Sequence, residues 1–261
     1  MQMSNDMWQN IKSDSKYRSD ESIYLTVVIP VFNEVKRIGK TLEKILLYLD
    51  QCDYSFEVIV VDDGSMDGTY ILVKEFSERY KQVHILRSEM NQGKGASVRK
   101  GMLASRGRYA LFSDADLSTP IEEVEKLLEW FGKGYDIAIG SRGLRESDIQ
   151  IHQPWYREAM GKTFNLLVRF FTVKGIKDTQ CGFKCFKREI VQDVFDKQTI
   201  SHFSFDVELL WIALKRGYKI KEVPVIWWND VHSKVNPASD SLRMFYDLMK
   251  IKINDLKGFY D

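Results

Sequence analysis

The sequence predicts an α/β fold with a mostly parallel central sheet flanked by helices. Three observations lead there. The apolar runs at 24–30, 56–61 and 108–112 are continuous rather than alternating, as in strands buried on both faces. Each is followed by a helical pattern, the strand-then-helix order of a parallel sheet. Polar and acidic clusters fall just beyond the strands, at the edge where open α/β sheets bind ligands.

In chain order, residues 24–30 form the first predicted strand, and 34–50 follow as a helix. Residues 56–61 are the next strand and 67–80 the next helix, with Asp67 placed to cap it. Strand 83–86 leads to helix 95–104, and the strand ending at Phe112 leads to helix 121–131. A strand at 136–139 closes this regular half. Beyond it come a polar loop at 142–154 and an unusually apolar helix at 155–173. Then follow strand 178–186, helix 205–216 and strand 219–228. Linkers rich in Gly, Ser or Pro are absent, so 23–236 is expected to form one domain. It is preceded by a polar tail over 1–22. An amphipathic helix over 237–261 is expected to pack on or extend the domain, with Leu242, Phe245, Met249 and Leu256 set against Arg243, Lys250, Lys252 and Lys257.

Composition excludes several classes. The 261 residues are 44% hydrophobic and 29% charged, enough for a sizeable core in an ordinary globular chain. Lys and Arg total 38 against 37 Asp and Glu, a balance that argues against a general nucleic-acid binder. Cys52, Cys181 and Cys185 make a poor disulfide framework and suit a reducing compartment. Cys181 and Cys185 lack two further zinc ligands nearby, and read as small core residues. The histidines (His84, His152, His202, His232) are scattered singly, which disfavours a His-based metal site or triad. The first 22 residues carry no apolar run of the kind a signal peptide needs. No segment approaches the ~20 apolar residues that span a bilayer. A cytoplasmic location is expected, with peripheral contact on the membrane's cytoplasmic face through the 164–171 region or the basic amphipathic tail.

Chemistry concentrates in Ser113-Asp114-Ala115-Asp116. Two carboxylates at i and i+2 on extended backbone point the same way and repel. A hard divalent cation resolves that conflict, and Mg²⁺ typically takes one or two carboxylates plus substrate phosphates. On its own the pattern is equally a polar strand-to-helix turn. Asp62-Asp63-Gly64-Ser65 places carboxylates at another strand end, where they could accept from a base N–H or a ribose hydroxyl. Asn91-Gln92-Gly93-Lys94-Gly95-Ala96 offers backbone N–H groups and a cation suited to a diphosphate. It is not a Walker A loop, because Lys94 is not followed by Ser or Thr.

Together these segments resemble the family 2 glycosyltransferases of the GT-A (nucleotide-diphospho-sugar transferase) fold, over roughly 24–236. Val28-Ile29-Pro30-Val31-Phe32-Asn33-Glu34 is similar to that family's opening strand and loop. Val61-Asp62-Asp63-Gly64-Ser65 with Asp67-Gly68-Thr69 is similar to its nucleoside-holding segment, and Asp114-Ala115-Asp116 to its metal-binding D-x-D. The resemblance implies nucleotide-sugar contacts at Pro30, Phe32, Asn33, Glu34, Asp63, Gly64, Ser65, Lys94, Gly95, Asp114 and Ala115. It also implies Mg²⁺ or Mn²⁺ on Asp114 and Asp116. Gly140-Ser141-Arg142 and Arg157 resemble basic positions facing phosphates in dolichyl-phosphate sugar synthases. Asp178-Thr179-Gln180-Cys181-Gly182-Phe183-Lys184, Phe205-Asp206-Val207-Glu208, Trp228 and Ser233-Lys234-Val235 look most like dolichyl-phosphate β-glucosyltransferases. The implied reaction inverts the anomeric centre of a UDP-hexose, glucose above others, and loads a polyprenyl phosphate. Asp116, Arg142, Arg157, Asp178 and Asp206 are the implied catalytic residues. Arg142, Arg157, Ser233 and Lys234 are the candidates to hold the acceptor phosphate. A hydroxyl acceptor would need a base, for which Asp178, Asp206 and Glu208 are candidates. Ser118 departs from mannosyl relatives, which often carry Gln near the metal. Two alternatives stay open: a soluble or saccharide hydroxyl acceptor, and a nucleotide-sugar-binding subunit without turnover.

Overall fold

The computed structural model describes residues 23–151, 173, 175–229 and 237–261. The expected 1–22 tail, and the expected 155–173 helix apart from Val173, lie outside the described residues.

The element order begins β1 (Leu25–Val31), α1 (Ile38–Leu49), β2 (Phe56–Asp62), α2 (Thr69–Arg79), β3 (Val83–Arg87), α3 (Lys94–Ala104) and β4 (Tyr109–Ser113). A 3₁₀ turn (Ile121–Glu123) then leads into the short α4 (Val124–Leu128), followed by β5 (Ile137–Ser141) and β6 (Asp148–Ile151). The second half holds β7 (Phe183–Lys187), α5 (Arg188–Phe195), α6 (Phe205–Lys215), β8 (Ile220–Pro224), β9 (Ile226–Trp228) and α7 (Pro237–Leu256). The seven-stranded sheet runs β3-β2-β1-β4-β7-β5-β8, and β6 and β9 form a separate parallel pair.

β1 and β2 are apolar almost throughout because helices cover both faces of the sheet. Leu25, Val27, Ile29 and Val31 face the side where Ile38, Leu42 and Ile45 of α1 pack. Val28 faces the opposite side, with Val98 and Met102 of α3 and Phe205 and Leu209 of α6. Each such side chain, fully buried, contributes about 1.5–3 kcal/mol.

The site is positioned by register. Parallel pairing sets Val31 level with Asp62, so β1 and β2 finish together. β7 is antiparallel to both β4 and β5, and Ser113 pairs with Phe183. The residues just before β7 therefore meet the exits of β4 and β5, between which β7 is inserted.

Four expectations need correction. The expected 178–186 strand begins only at Phe183, since the preceding residues are folded by side-chain bonds rather than by a ladder. The expected 219–228 strand breaks at Val225, because β8 pairs with β5 while β9 pairs with β6. The 142–154 loop contains β6, a polar strand with no apolar run to announce it. The 121–131 helix is mostly 3₁₀ and turn, with α-helix over five residues only.

Candidate active site

Beyond β1 the chain turns through Asn33, whose φ of +52° lies in the left-handed region that Asn tolerates. Its N–H donates to Ser65 Oγ (2.9 Å) and its Oδ1 accepts from Met66 N–H (2.9 Å), pinning the β1 exit to the β2 exit. Glu34 N–H donates to Thr69 Oγ1 (2.8 Å), and Glu34 is ion-paired with Arg37 at 2.6 Å. Asp67 caps α2 from one residue ahead of Gly68, accepting from Thr69 N–H (3.1 Å) and Thr69 Oγ1 (2.5 Å). It also accepts from Val35 N–H at 3.1 Å, so one carboxylate ties two loops.

Asp63 is buried, and its two oxygens accept from Gln92 N–H (3.0 Å) and Gly93 N–H (2.8 Å). That fixes the loop before α3 and leaves a lone pair on each oxygen for a ligand. Lys94 follows at the start of α3, its Nζ 2.5 Å from Asp114 Oδ1. The expected cradle of backbone N–H groups is partly committed, since Gln92 and Gly93 already donate to Asp63. Ala96 N–H donates to Ser201 O (3.2 Å) and Ser97 N–H to Gly93 O (3.1 Å). The Lys94 ammonium is the charged group that this segment offers an anion. Gly95 sits against Phe205 and Ile200 rather than in the cleft, since a Cβ there would lie 2.7 Å from Phe205 Cβ.

β4 ends at Ser113, so Asp114 and Asp116 meet in a turn and not on extended backbone. Leu117, with φ +48°, donates its N–H to Asp114 O (3.1 Å), and Ser118 N–H donates to Asp116 Oδ1 (2.9 Å). Thr41 Oγ1 donates to Ala115 O (2.5 Å), and Trp228 N–H to Ser118 O (2.8 Å). Burial, and then the neighbouring Asp114 charge, push the Asp116 carboxyl above its ordinary value. Burial opposes the charge on Lys94, but Asp114, Asp206 and Asp116 outweigh it and hold the ammonium above the usual lysine value. Gly182, brought to the β4 exit by antiparallel β7, lies against the Asp114 carboxylate. A Cβ at Gly182 would fall 2.5 Å from Asp114 Cγ.

Arg142, at the β5 exit, is committed to Asp178. Its Nε and Nη2 donate to the carboxylate at 2.7 and 2.9 Å, and its backbone N–H adds a third bond at 2.9 Å. Asp178 also accepts from Gln180 N–H (3.1 Å). Burial alone would raise the Asp178 carboxyl, yet Arg142 holds it down to about 2. A carboxylate so stabilised is a weak base, which removes Asp178 as a general-base candidate. Asp206 is buried and paired with the fully buried Lys184 at 2.6 Å, and Lys184 also donates to Cys181 O (2.6 Å). Glu208, fully buried, accepts from Thr199 N–H, Ile200 N–H and the Thr199 and Tyr260 hydroxyls. Both belong to the supporting structure rather than to the cleft. Arg157, Ser233 and Lys234 lie outside the described residues.

Of the expected residues, Pro30, Phe32, Glu34, Asp63, Lys94, Asp114, Ala115 and Asp116 line one cleft of about 440 Å³, within the range of small-ligand sites. Asn33, Gly64 and Ser65 build the turns behind it. Asn91, from the segment around Lys94, lines it too, as do Arg37, Ser97, His202 and Phe203, which no motif singles out. Among the described residues no group of three or more His, Cys, Asp or Glu side chains could hold a metal ion. Two hard oxygen donors that repel each other in a half-dry cleft nevertheless fit Mg²⁺ or Mn²⁺, whose other positions go to substrate oxygens and water.

Comparison with known proteins supplies context for this geometry. The sequence profile described as Glycosyl transferase family 2 matches residues 26–195. The dolichyl-phosphate beta-glucosyltransferase of Saccharomyces cerevisiae is 36% identical, the match covering 94% of this chain and 79% of that protein. The human protein of that name is 37% identical, over 90% of this chain and 76% of its own length. Among solved structures, glucosyl-3-phosphoglycerate synthase from Mycobacterium tuberculosis, in complex with Mn²⁺, UDP-glucose and phosphoglyceric acid, superposes with a TM-score of 0.64. It is 18% identical, and the match covers 88% of this chain and 79% of that one. The likeness shows a shared GT-A fold with a mostly parallel, helix-flanked sheet.

Proposed function

The chain belongs to glycosyl transferase family 2 and is a glycosyltransferase, and on that premise we propose that it moves glucose from UDP-glucose to a polyprenyl phosphate such as dolichyl phosphate. The observation that carries this reading is the convergence of Lys94, Asp114 and Asp116 in the cleft that Pro30, Phe32, Glu34 and Asp63 also line. The names of the relatives support the sugar and the acceptor. UDP-glucose and Mn²⁺ in the solved neighbour support the donor and the metal.

In the proposed reaction a phosphate oxygen of the acceptor forms a bond to the anomeric carbon. The bond from that carbon to the UDP oxygen breaks, and UDP leaves with the electron pair. A β product from an α-linked donor is an inversion, reached in one displacement. Mg²⁺ or Mn²⁺ held by Asp114 and Asp116 would supply positive charge against the diphosphate. Lys94 keeps its proton and adds a second charge on the same side. Asp63, oriented by the Gln92 and Gly93 N–H groups, offers its remaining lone pairs to a ribose hydroxyl or base N–H. The acceptor phosphate is already anionic near neutral pH, so no general base is needed. That agrees with Asp178, Asp206 and Glu208 all being bonded inside the protein.

A lipid acceptor calls for a face toward the bilayer. No helix among the described residues is long and apolar enough to cross a membrane. α7 and the turn after it instead expose Tyr246, Ile253, Leu256 and Phe259, which suits peripheral contact on the cytoplasmic face. The test is radiolabelled UDP-glucose supplied with Mn²⁺, with and without a polyprenyl phosphate. Label entering the lipid phase only with that acceptor supports the reading. Equal transfer to a saccharide hydroxyl, or none to lipid, contradicts it.

A further inference from the structure

The His202–Phe203 wall of the cleft is held in place from a distant part of the chain. Segment 198–203 is bonded to the first turn of α3 on one side. Gln198 Nε2 donates to Gly95 O (2.9 Å) and to Ile200 O (2.8 Å), and Ser201 O accepts from Ala96 N–H (3.2 Å). Gly93, at φ +103°, lets this segment approach: a Cβ there would lie 2.6 Å from His202 Nδ1. These contacts tie the segment to the turn that carries Lys94.

The other side rests on one buried carboxylate. Glu208 Oε2 accepts from Thr199 N–H (3.0 Å) and Ile200 N–H (2.8 Å), while Oε1 accepts from Thr199 Oγ1 (2.6 Å) and Tyr260 Oη (2.7 Å). Tyr260 is itself fully buried, beyond α7, and Asn254 of α7 donates to Tyr260 Oη (3.3 Å) and to Thr199 Oγ1 (3.2 Å). Burial and the Glu208 charge keep the Tyr260 phenol protonated, as its donor role requires. Buried charge satisfied in this way by hydrogen bonds is costly to disturb, so the bond is a firm anchor.

We propose that Tyr260 and Glu208 are positioning residues for nucleotide-sugar binding, clamping Thr199 and Ile200 so that His202 and Phe203 stand where the donor meets them. This rests on the UDP-glucose reading above.

Tyr260→Phe keeps the ring in its pocket and removes one hydroxyl. Amide exchange in 199–203 should then rise about tenfold, while exchange in β1, β2 and β4 stays as in the wild type. The dissociation constant for UDP with Mn²⁺ should weaken by about three- to tenfold. KM for UDP-glucose should rise in step, with kcat within about twofold. Thr199→Val, of nearly the same shape, removes the other side-chain donor and should act in the same direction. The double variant should fall short of the product of the two, because both hydroxyls reach the same oxygen. Faster exchange in 199–203 with unchanged UDP affinity would overturn the proposal and reduce the clamp to a structural bond. Unchanged exchange in both variants would overturn it as well. Should Tyr260→Phe not fold, Thr199→Val decides by the same criteria. A wild-type chain that binds no UDP would instead refute the donor reading, and the exchange data would still decide whether Tyr260 holds the segment.

Discussion

Replacing Gly182 by alanine separates function from stability more cleanly than removing either aspartate. The added Cβ would stand 2.5 Å from Asp114 Cγ and 2.7 Å from Oδ1. Ordinary contact between such atoms needs about 3.5 Å, so one group must retreat by about 1 Å. Gly182 immediately precedes β7 and cannot easily yield, because the next residue, Phe183, is fully buried and paired with Ser113. The Asp114 carboxylate is the mobile partner, as the end of a side chain with 34% of its surface exposed. Gly182 has no positive φ, so alanine brings no backbone strain of its own. The fold should therefore hold, with an unfolding midpoint near that of the wild type. Displacing a substrate-orienting group by about 1 Å costs on the order of 10²-fold in rate, equal to about 2.7 kcal/mol. Nucleotide release from UDP-glucose, measured across a Mn²⁺ titration, should show that loss together with a higher Mn²⁺ requirement. Wild-type turnover in Gly182→Ala would refute the reasoning, since the carboxylate would then not need its present position.

Other perturbations follow from the same geometry. Asp114→Ala with Asp116→Ala should abolish Mn²⁺-dependent transfer in a folded chain, checked by radiolabel assay and circular dichroism. Lys94→Met should lower kcat/KM by about 10²-fold through the lost charge on the diphosphate, while UDP-independent folding measured by urea titration changes little. The Arg142–Asp178 pair predicts a pH dependence of stability. The folded Asp178 value of about 2 lies below the ordinary Asp value of 3.8, so its contribution is complete above about pH 4 and is lost as pH falls through about 2. The stability gap between wild type and Asp178→Asn should narrow by about 2 kcal/mol across that window in urea unfolding. Glutamate at both Tyr246 and Leu256, which are exposed on α7, should reduce co-sedimentation with anionic vesicles; equal sedimentation would remove α7 from the membrane contact.

The parts of this molecule that could be read in advance were those with local causes. β1, β2 and β4 announce themselves because burial on both faces leaves mostly apolar residues, and the Asp114/Asp116 pair follows directly from the β4 exit. What escaped depends on partners far away in sequence. The antiparallel insertion of β7 carries no local signal, yet it brings Gly182 to Asp114, and with Glu222 of β8 it brings Asp178 to Arg142. β8 and β9 read as one run because the residues around the change of partners, from Val223 to Trp228, are all apolar. α5 is a different case: Ile190, Val191, Val194 and Phe195 form a helical stripe that was there to be read. His202 and Phe203 line the cleft from a loop bonded to Glu208 and to the first turn of α3. Asp206 and Glu208 are base candidates through the family resemblance and for a hydroxyl acceptor alone, and packing shows both already bonded.

The central claim is that Asp114 and Asp116 share a cation which grips the diphosphate of a sugar nucleotide. It is tested most directly by a crystal soaked with Mn²⁺ and UDP, with diffraction recorded at the manganese edge. An anomalous peak within about 2.3 Å of oxygens from both aspartates and from the diphosphate is the expected result. A peak elsewhere, with UDP ordered away from Lys94, would contradict the account.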